Sequence, residues 1–329
     1  MEEADVAATL TDVAARANVS LATASRAFKD PSRLSSDALK RVLTAATEVG
    51  YGSRSPKVGR TFGVVVPDIS NSALAGQVKA IQNQAWQGRH RMVLADTNED
   101  ITREQEILET MSQEVDGILL CSPRLPSARI LQATGSLPLV IINGEADLAA
   151  SVLMDVNEGL AQAIEHLHAL GHRKVVYVPG PVSSWANSRR HSAVAKHCLE
   201  REVELAVVGN QAATVLGGLA AAAAVVSSGA TAVIAYNDLV ALGVQSGVRH
   251  LGKRCPEDIS VVGIDDLDVA AVAQPSLTSV RVEMERSGSL GLEMLLDLID
   301  GKPRSRGEVH IQSQLVVRNS TARVASPTA

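Results

Sequence analysis

From residue 62 onwards, the chain alternates between short apolar runs and segments in which apolar residues recur every three or four positions. The apolar runs cover residues 62–66, 92–95, 117–121, 139–142, 175–178, 206–208, 232–235 and 259–264. Uninterrupted runs are typical of strands buried on both faces, and the recurring spacing is typical of the helices that cover them. Strands that alternate with helices form parallel sheets, and so many repeats favour two doubly wound lobes.

The first part of the chain has a different pattern, which predicts three short helices. Thr9 and Ser20 are suited to cap the first two, because a hydroxyl oxygen there accepts a hydrogen bond from a free backbone N–H. The turn between these helices is short and contains Asn18, a residue type that enters the left-handed backbone region. The third helix is predicted over residues 36–49.

Two helices joined by so short a turn predict a helix-turn-helix, whose second helix enters the major groove of DNA. In this geometry Leu21, Ala22 and Arg26 point toward base edges, and Arg26 is able to bind guanine through two hydrogen bonds. The alternative is a small helical bundle that binds a protein partner. Hydroxyl groups expected to contact phosphates belong to Thr9, Ser20, Thr23 and Ser25.

Charge is distributed unevenly along the chain. Residues 9–60 hold nine lysines and arginines against four acidic residues, although the whole chain has a net charge of -5. A short basic module on an acidic body is typical of a head that binds a polyanion. Residues 52–61 contain two glycines, a proline and three basic residues without periodicity, which indicates a linker. Arg54 and Lys57 of this linker are expected to contact DNA.

Composition excludes several classes of protein. The three cysteines are far apart, which excludes a disulfide framework or a paired zinc site and fits a reducing compartment. The longest wholly apolar stretch, residues 219–226, is too short to span a membrane. The first ten residues lack the features of a secretion signal, so a cytoplasmic protein is expected. No metal site, cofactor or catalytic group is predicted, because no motif with suitable spacing occurs.

A series of motifs follows in order along nearly the whole chain. They are LTDVAARANVSLATASRAF (10–28), VVVPDISN (64–71), VDGILLCSP (115–123), HLHALGHRKVVYVPGP (166–181), AYNDLVALG (235–243), CPEDISVVGIDD (255–266), PSLTSV (275–280) and LVVRNSTA (315–322). This ordered series resembles the LacI/GalR (lactose-repressor) family of transcription regulators. The head segment is similar to the family signature TLxDVAxxAGVSxxTVSRxLN, with Asn18 at the usual glycine and Ala24 at the usual valine.

The resemblance implies an all-α helix-turn-helix head followed by an α/β two-lobed periplasmic-binding-protein-like domain with two doubly wound parallel sheets. It also implies a homodimeric repressor of a pseudo-palindromic operator on double-stranded DNA, controlled by a small sugar-like effector bound between the lobes. The expected divisions are a head (1–51), a shortened hinge (52–61), a body (62–323) and a tail (324–329). Within the body, the expected N-lobe holds residues 62–156 and 282–305, and the C-lobe holds residues 157–281 and 306–323.

Residue by residue, the resemblance places effector contacts at Asn71, Asp155, Arg190, Asn237 and Asp265. The chemistry is suitable, because carboxylates and amides pair with hydroxyl groups and arginine supplies a rigid fork of donors. For Asn237 and Asp265, ordinary loop capping is the alternative.

Two segments depart from the family pattern. Ser72–Leu74 stand where many members carry an aromatic pair, so the usual stacking platform is missing. Trp185 is the candidate replacement, and the alternative is that it is a packed surface residue. The linker is shorter than the family's hinge helix and lacks its leucine wedge, which predicts less bending of the operator.

Two functions from different classes remain open at this stage. The first is a DNA-binding repressor that dimerises through its body, helped by a stripe of Leu74, Val78 and Ile81. The second is a cytosolic small-molecule-binding protein or two-lobed sugar enzyme whose head no longer reads DNA. The capped turn and Arg26 favour the first function, whereas the short linker favours the second.

Overall fold

The computed structural model describes residues 9–49, 59–145, 149–302 and 307–324. These residues form two compact units that divide between Gly59 and Arg60. The first unit, called the head, is helical, and the second, called the body, is built from strands and helices. Each unit is described by itself.

The head contains the three predicted helices. They are α1 (Leu10–Ala17), α2 (Leu21–Lys29) and α3 (Ser36–Val49), with a 3-10 turn at Pro31–Arg33. Thr9 and Asp12 form a reciprocal capping box at the start of α1, and Asn18 adopts the left-handed conformation (φ 52°) that ends it. Ser20 accepts a hydrogen bond from the backbone N–H of Thr23 (3.1 Å) and so caps α2. The predicted turn is therefore confirmed.

Small side chains allow the three helices of the head to pack closely. The buried residues are Val13, Ala14, Ala17, Ala24, Ala27, Val42, Ala45 and Ala46. An ion pair between Arg16 and Glu48 (2.6 Å) joins α1 to α3 at the surface. Alanine and valine bury less apolar area than larger side chains, so the stability of this unit depends on close helix contact and on its caps.

The body contains twelve strands and nine helices among its described residues. The strands are β1 (Thr61–Val66), β2 (Arg91–Asp96), β3 (Gly117–Cys121), β4 (Leu139–Ile142), β5 (Ala150–Asp155), β6 (Lys174–Val178), β7 (Glu204–Val207), β8 (Ala232–Ala235), β9 (Ser260–Asp265), β10 (Thr278–Arg281), β11 (Glu308–Gln312) and β12 (Gln314–Val316). The helices are α4 (Ser72–Gln87), α5 (Ile101–Met111), α6 (Ser127–Thr134), α7 (Asn157–Ala169), α8 (Trp185–Glu200), α9 (Val215–Ser227), α10 (Asp238–His250), α11 (Asp268–Val272) and α12 (Met284–Ile299).

The strands form two six-stranded sheets, ordered β11-β5-β4-β3-β1-β2 and β12-β10-β9-β8-β6-β7. All neighbouring strands run parallel except β10 and β12. The two predicted doubly wound sheets are therefore confirmed. In each sheet the strand order reverses beside the first strand of the lobe, and ligands of such sheets bind beyond the carboxyl ends at this point.

The chain passes between the two lobes three times, between β5 and α7, between β10 and α12, and between β11 and β12. The third crossing corrects a predicted boundary. Residues 306–323 were assigned to the C-lobe as a whole, but β11 pairs in parallel with β5 of the first sheet. Ser313 alone separates β11 from β12, and no local change in the sequence pattern marks the crossing.

The predicted dimerisation stripe is also corrected. Leu74, Val78 and Ile81 are buried inside the first lobe, where α4 packs against α12, so they are not available to a partner. Exposed apolar side chains occur instead on the edge strand β2, where Val93 and Leu94 are 42% and 41% exposed. None of the described helices is long and apolar enough to cross a membrane.

Candidate functional site

The second helix of the head presents the side chains that were predicted to face base edges. Leu21, Ala22 and Arg26 are exposed on α2, whereas Ala24 and Ala27 face the core of the head. Leu21 is an apolar side chain that is 52% exposed, and Phe28 and Leu43 of the head are exposed to a similar degree. Arg26 makes no ion pair with any described residue, so its guanidinium is free for a polyanion.

The hydroxyl groups predicted to contact phosphates already serve the caps of the two helices. Thr9 donates its hydroxyl to Asp12 (2.7 Å), and Ser20 and Thr23 share a hydrogen bond (2.8 Å). These bonds to Thr9 lower the pKa of Asp12. Ser25 is half-buried on α2. Arg54 and Lys57 lie outside the described residues.

The body contains a small cavity between the carboxyl ends of its two sheets, with a volume of about 30 Å³. This volume accommodates about one or two water molecules. A groove of about 530 Å³ shares Ala73, Asp265 and Met284 with the cavity. The polar side chains on the cavity wall are Asn71, Glu99, Ser122, Arg124, Asn143, Arg190, Tyr236, Asn237 and Asp265. The structure therefore brings together four of the six predicted effector contacts, Asn71, Arg190, Asn237 and Asp265.

Arg190 organises the wall contributed by the second lobe. Its guanidinium donates to Asp265 at the end of β9 (3.2 Å) and to the backbone carbonyl of Tyr236 after β8. Both charged side chains are less than one tenth exposed. Burial raises the pKa of Asp265 to about 6, and the charge and hydrogen bond of Arg190 limit that increase. Because a buried charge is costly without a partner, each side chain holds the other in place.

The two asparagines on the cavity wall are also helix caps. Asn71 accepts from the backbone N–H of Ala73 (3.0 Å) at the start of α4, and Asn237 accepts from that of Val240 (2.9 Å) at the start of α10. Capping and cavity lining, which the sequence posed as alternatives for Asn237, therefore occur together. Capping uses the amide oxygen of Asn71 and leaves its NH₂ group as a possible donor to a ligand.

The backbone that presents Asp265 is strained. Asp265 and Asp266 have φ values of 117° and 59°, a region that residues other than glycine rarely enter. The neighbouring carboxylate of Asp238 holds the segment, because it accepts hydrogen bonds from the Leu267 N–H (2.8 Å) and the Ser279 hydroxyl (2.6 Å). Burial, together with the charge of Asp265, raises the pKa of Asp238 to about 8.

Four polar residues of the first lobe were not predicted, although they line the same cavity. Arg124 donates to Glu99 through two nitrogens, and its third donating nitrogen contacts the Ser122 carbonyl (2.6 Å). Asn143 follows β4 and contacts Ser122. All four residues follow the carboxyl ends of β2, β3 or β4. The strand-end rule that indicated Asp265 would have found them if it had been applied to every strand.

Tyr236 is the aromatic residue on the cavity wall, and its ring is closely packed. The Arg190 guanidinium lies over the ring, 4.7 Å from the centroid. Gly180 also packs so tightly against the ring that a Cβ there would lie 2.5 Å from it. The phenol oxygen lies 3.1 Å from the Ser184 hydroxyl. Tyr236 therefore already has a stacking partner within the protein, the guanidinium of Arg190.

The structure does not bring Asp155 or Trp185 to the cavity wall. Asp155 lies at the first crossing between the lobes and borders a separate space of about 290 Å³ with Arg189 and Lys196. Trp185 is the first residue of α8, and Arg189 lies over its ring (5.3 Å to the centroid). This placement corresponds to the alternative of a packed surface residue. Within the part of the chain that the structure describes, no group of acidic, histidine or cysteine side chains could hold a metal ion.

Comparison with known proteins gives matches to both units. Residues 9–53 match the model for bacterial regulatory proteins of the lacI family, and residues 164–321 match that for the periplasmic binding protein-like domain. A ribose operon repressor from Halalkalibacterium halodurans is 28% identical over 326 residues, which are 95% of this chain and 97% of the relative.

Two solved structures are similar over nearly the whole chain. The Lac repressor bound to ONPG in its repressed state has a TM-score of 0.77 and 25% identity, and the match covers 96% of this chain and 100% of that one. The complex of the transcriptional regulator CelR with cellobiose has a TM-score of 0.71 and 28% identity, with coverage of 95% and 99%.

The buried carboxyl group of Asp238 predicts a pH-dependent stability. An aspartate in the unfolded chain loses its proton near pH 3.9, whereas Asp238 keeps its proton to about pH 8. The folded protein therefore binds the extra proton in this window, and its free energy of unfolding falls as pH rises. The slope reaches up to about 1.4 kcal/mol per pH unit. Above about pH 6, where Asp265 is ionised, Asp238→Asn should flatten the slope measured by urea unfolding.

Asp268→Asn is the matched control, because Asp268 is an exposed aspartate that, like Asp238, is the first residue of a helix. This control should keep the slope of the wild type. An unchanged slope in Asp238→Asn would show that Asp238 is ionised throughout this range.

Proposed function

The chain is a member of the LacI family of bacterial regulatory proteins, and we propose that it is a transcriptional repressor in the cytoplasm whose operator binding is controlled by a small effector. The observation that supports this most directly is the combination of two units in one chain. A capped helix-turn-helix with an exposed Arg26 precedes a two-lobed body with a polar cavity between its sheets. The alternative of a binding protein or sugar enzyme with a head that no longer reads DNA has no such support from the head.

The effector is proposed to bind at the cavity between the lobes, as a sugar or sugar derivative. Asp265 and Asn71 offer an acceptor and a donor for hydroxyl groups, and Arg190 adds donors beyond those that hold Asp265. The cavity of about 30 Å³ is too small for a sugar, so the lobes must separate to admit one. The adjoining groove is the space into which the cavity would open. Such a difference between two lobe arrangements is what allows a ligand to control a distant site.

Homodimerisation is proposed to use the exposed edge of the first sheet. Val93 and Leu94 on β2 are exposed. Because β2 is an edge strand, it also has a row of backbone N–H and C=O groups without a neighbouring strand. A dimer with two-fold symmetry presents two heads to two inverted half-sites, which agrees with a pseudo-palindromic operator.

The first prediction from the proposed function concerns the reading of bases by Arg26. Arg26→Ala should weaken binding to an operator fragment, selected from random DNA with the wild type, by about 1–3 kcal/mol. Binding to DNA of unrelated sequence should change much less, because phosphate contacts supply most of that affinity. Fluorescence anisotropy at fixed salt concentration measures both. An equal loss on the two DNAs would contradict a base contact.

The second prediction concerns the cavity. Arg190→Ala should weaken binding of the neutral sugar that most stabilises the wild type in a thermal screen, by about tenfold or more, because hydrogen bonds to charged groups are lost. Operator binding without sugar should persist. Arg190→Lys keeps a charge beside Asp265 and serves as a second variant if Arg190→Ala does not fold.

Arg189→Ala is the matched control for this measurement. Arg189 is the preceding residue on α8, but it lies over Trp185 and outside the cavity. Calorimetric titrations that show the same sugar affinity for Arg190→Ala and wild type would place the effector elsewhere.

The third prediction concerns the dimer. Leu94→Asp should shift the body toward monomer in sedimentation experiments, because a charged side chain on the exposed edge opposes close packing with a second copy. Leu199→Asp, on α8 and 81% exposed, should leave the oligomeric state unchanged. A stable dimer of Leu94→Asp would exclude this edge as the interface.

A further inference from the structure

The ion pair between Glu99 and Arg124 supplies the charged groups of the wall that the first lobe contributes to the cavity. The two residues follow neighbouring parts of the sheet, since Glu99 comes after β2 and Arg124 after β3, on either side of β1. The Arg124 side chain is 3% exposed and the Glu99 side chain 33%. Arg124 bonds Glu99 through two nitrogens, the fork geometry that arginine and carboxylate groups favour.

The backbone around this pair is built to hold it. Glu99 has a φ of 61° and its N–H donates to the Pro67 carbonyl (2.8 Å). The backbone N–H groups of Arg124 and Leu125 donate to the buried carboxylate of Glu104 (2.9 and 3.1 Å). Two segments far apart in sequence are thus fixed so that one ion pair faces the cavity. Backbone in the left-handed region is strained for a residue other than glycine, so the surrounding contacts must stabilise it.

The charges on the cavity wall are balanced across the two lobes. Arg124 is paired with Glu99 on the first lobe, and Arg190 is paired with Asp265 on the second. A neutral ligand with hydroxyl groups accepts from the remaining guanidinium N–H groups and donates to Asp265 without changing this balance. An anionic ligand would place a charge in a closed site whose cations already have partners, which is costly.

The aromatic content of the site disfavours another class of ligand. The ring of Tyr236 already contacts the Arg190 guanidinium and Gly180, and no other aromatic side chain lines the described cavity wall. The described wall therefore does not offer a flat aromatic base a pair of rings between which it could stack.

Resting on the proposed function, we propose that the Glu99–Arg124 pair is a specificity determinant of the effector site. Its carboxylate cancels the charge of Arg124, so the site selects a neutral polyhydroxy compound and rejects sugar phosphates and sugar acids. Removal of the carboxylate charge alone should convert Arg124 into a receptor for anions.

Glu99→Gln tests this selection with inorganic phosphate as the probe. Phosphate should raise the melting temperature of Glu99→Gln above that in chloride of equal ionic strength, and bind it about tenfold or more tightly than the wild type by calorimetry. The double variant Glu99→Gln/Arg124→Gln should lose this response. Glu114→Gln, the same change of charge at an exposed position outside the cavity, should behave as the wild type.

Several outcomes would overturn the proposal. These are a response of Glu99→Gln no larger than that of Glu114→Gln, an equal response of the double variant, or phosphate binding to the wild type cavity. If Glu99→Gln is unfolded in chloride, phosphate should restore its folded state, because the anion replaces the missing carboxylate. Failure of that rescue also overturns the proposal.

The wild type provides a separate comparison between matched ligands. In the pairs ribose and ribose 5-phosphate, and galactose and galacturonate, the anionic member should not bind, and binding of an anionic member contradicts the selection. Operator binding is measured on the same preparations. A wild type that binds no operator would contradict the proposed function. The phosphate response of Glu99→Gln tests the role of the ion pair in selectivity independently of operator binding.

Discussion

Charged groups that lie at the carboxyl ends of buried parallel strands must be paired, and this requirement shapes the space between the two lobes. Arg190 comes from α8 and meets the end of β9, while Arg124 follows β3 and meets the loop after β2. Both guanidiniums are buried beside a cavity of about 30 Å³. Breaking either pair is costly, because it would leave a buried guanidinium without its carboxylate partner. A ligand that enters must therefore use the donors and acceptors that remain after pairing.

The same constraint links the site to the rest of the body. Asp265 is presented by backbone in the left-handed region, and Asp238 holds the next residues through the Leu267 N–H and the Ser279 hydroxyl. Ser279 belongs to β10, whose chain then crosses into the first lobe. Hydrogen bonds of Asp238 thus connect the segment after Asp265, which lines the cavity, to the strand that precedes the crossing. A change in the position of Asp265 would therefore be transmitted through these bonds to the segment that crosses between the lobes.

The sequence predicted the architecture well because apolar runs and helical spacing are local features. Strands β3, β4 and β8 have the predicted bounds, and Asn18 adopts the left-handed turn that its residue type suggested. The features that the sequence did not reveal are the points at which the chain crosses between the lobes. At Ser313 the chain passes from the first sheet to the second, and the pattern of apolar and polar residues does not change there. Asp155 ends a strand as Asp265 does, but the chain leaves the lobe there, so it faces a different space.

The candidate site was predicted only in part for a similar physical reason. Arg190 and Asp265 were assigned by resemblance, and the cavity contains both. Arg124 and Glu99 were missed, because the strand-end rule was not applied to β2 and β3. That rule indicates both positions, but only the structure shows that the two side chains form an ion pair. Trp185 was predicted as an aromatic replacement, whereas the aromatic residue at the cavity is Tyr236, whose ring contacts Arg190 and Gly180.

A ligand bound between the lobes is expected to change the affinity of the head for DNA. This coupling is seen in the operator affinity of the full chain, measured by fluorescence anisotropy without sugar and at saturation with the neutral sugar that most stabilises the protein. Saturation should change the operator dissociation constant by about fivefold or more, and operator DNA should change the sugar dissociation constant by the same factor. A sugar that binds at the cavity and leaves the operator dissociation constant unchanged would show that the cavity does not control DNA binding.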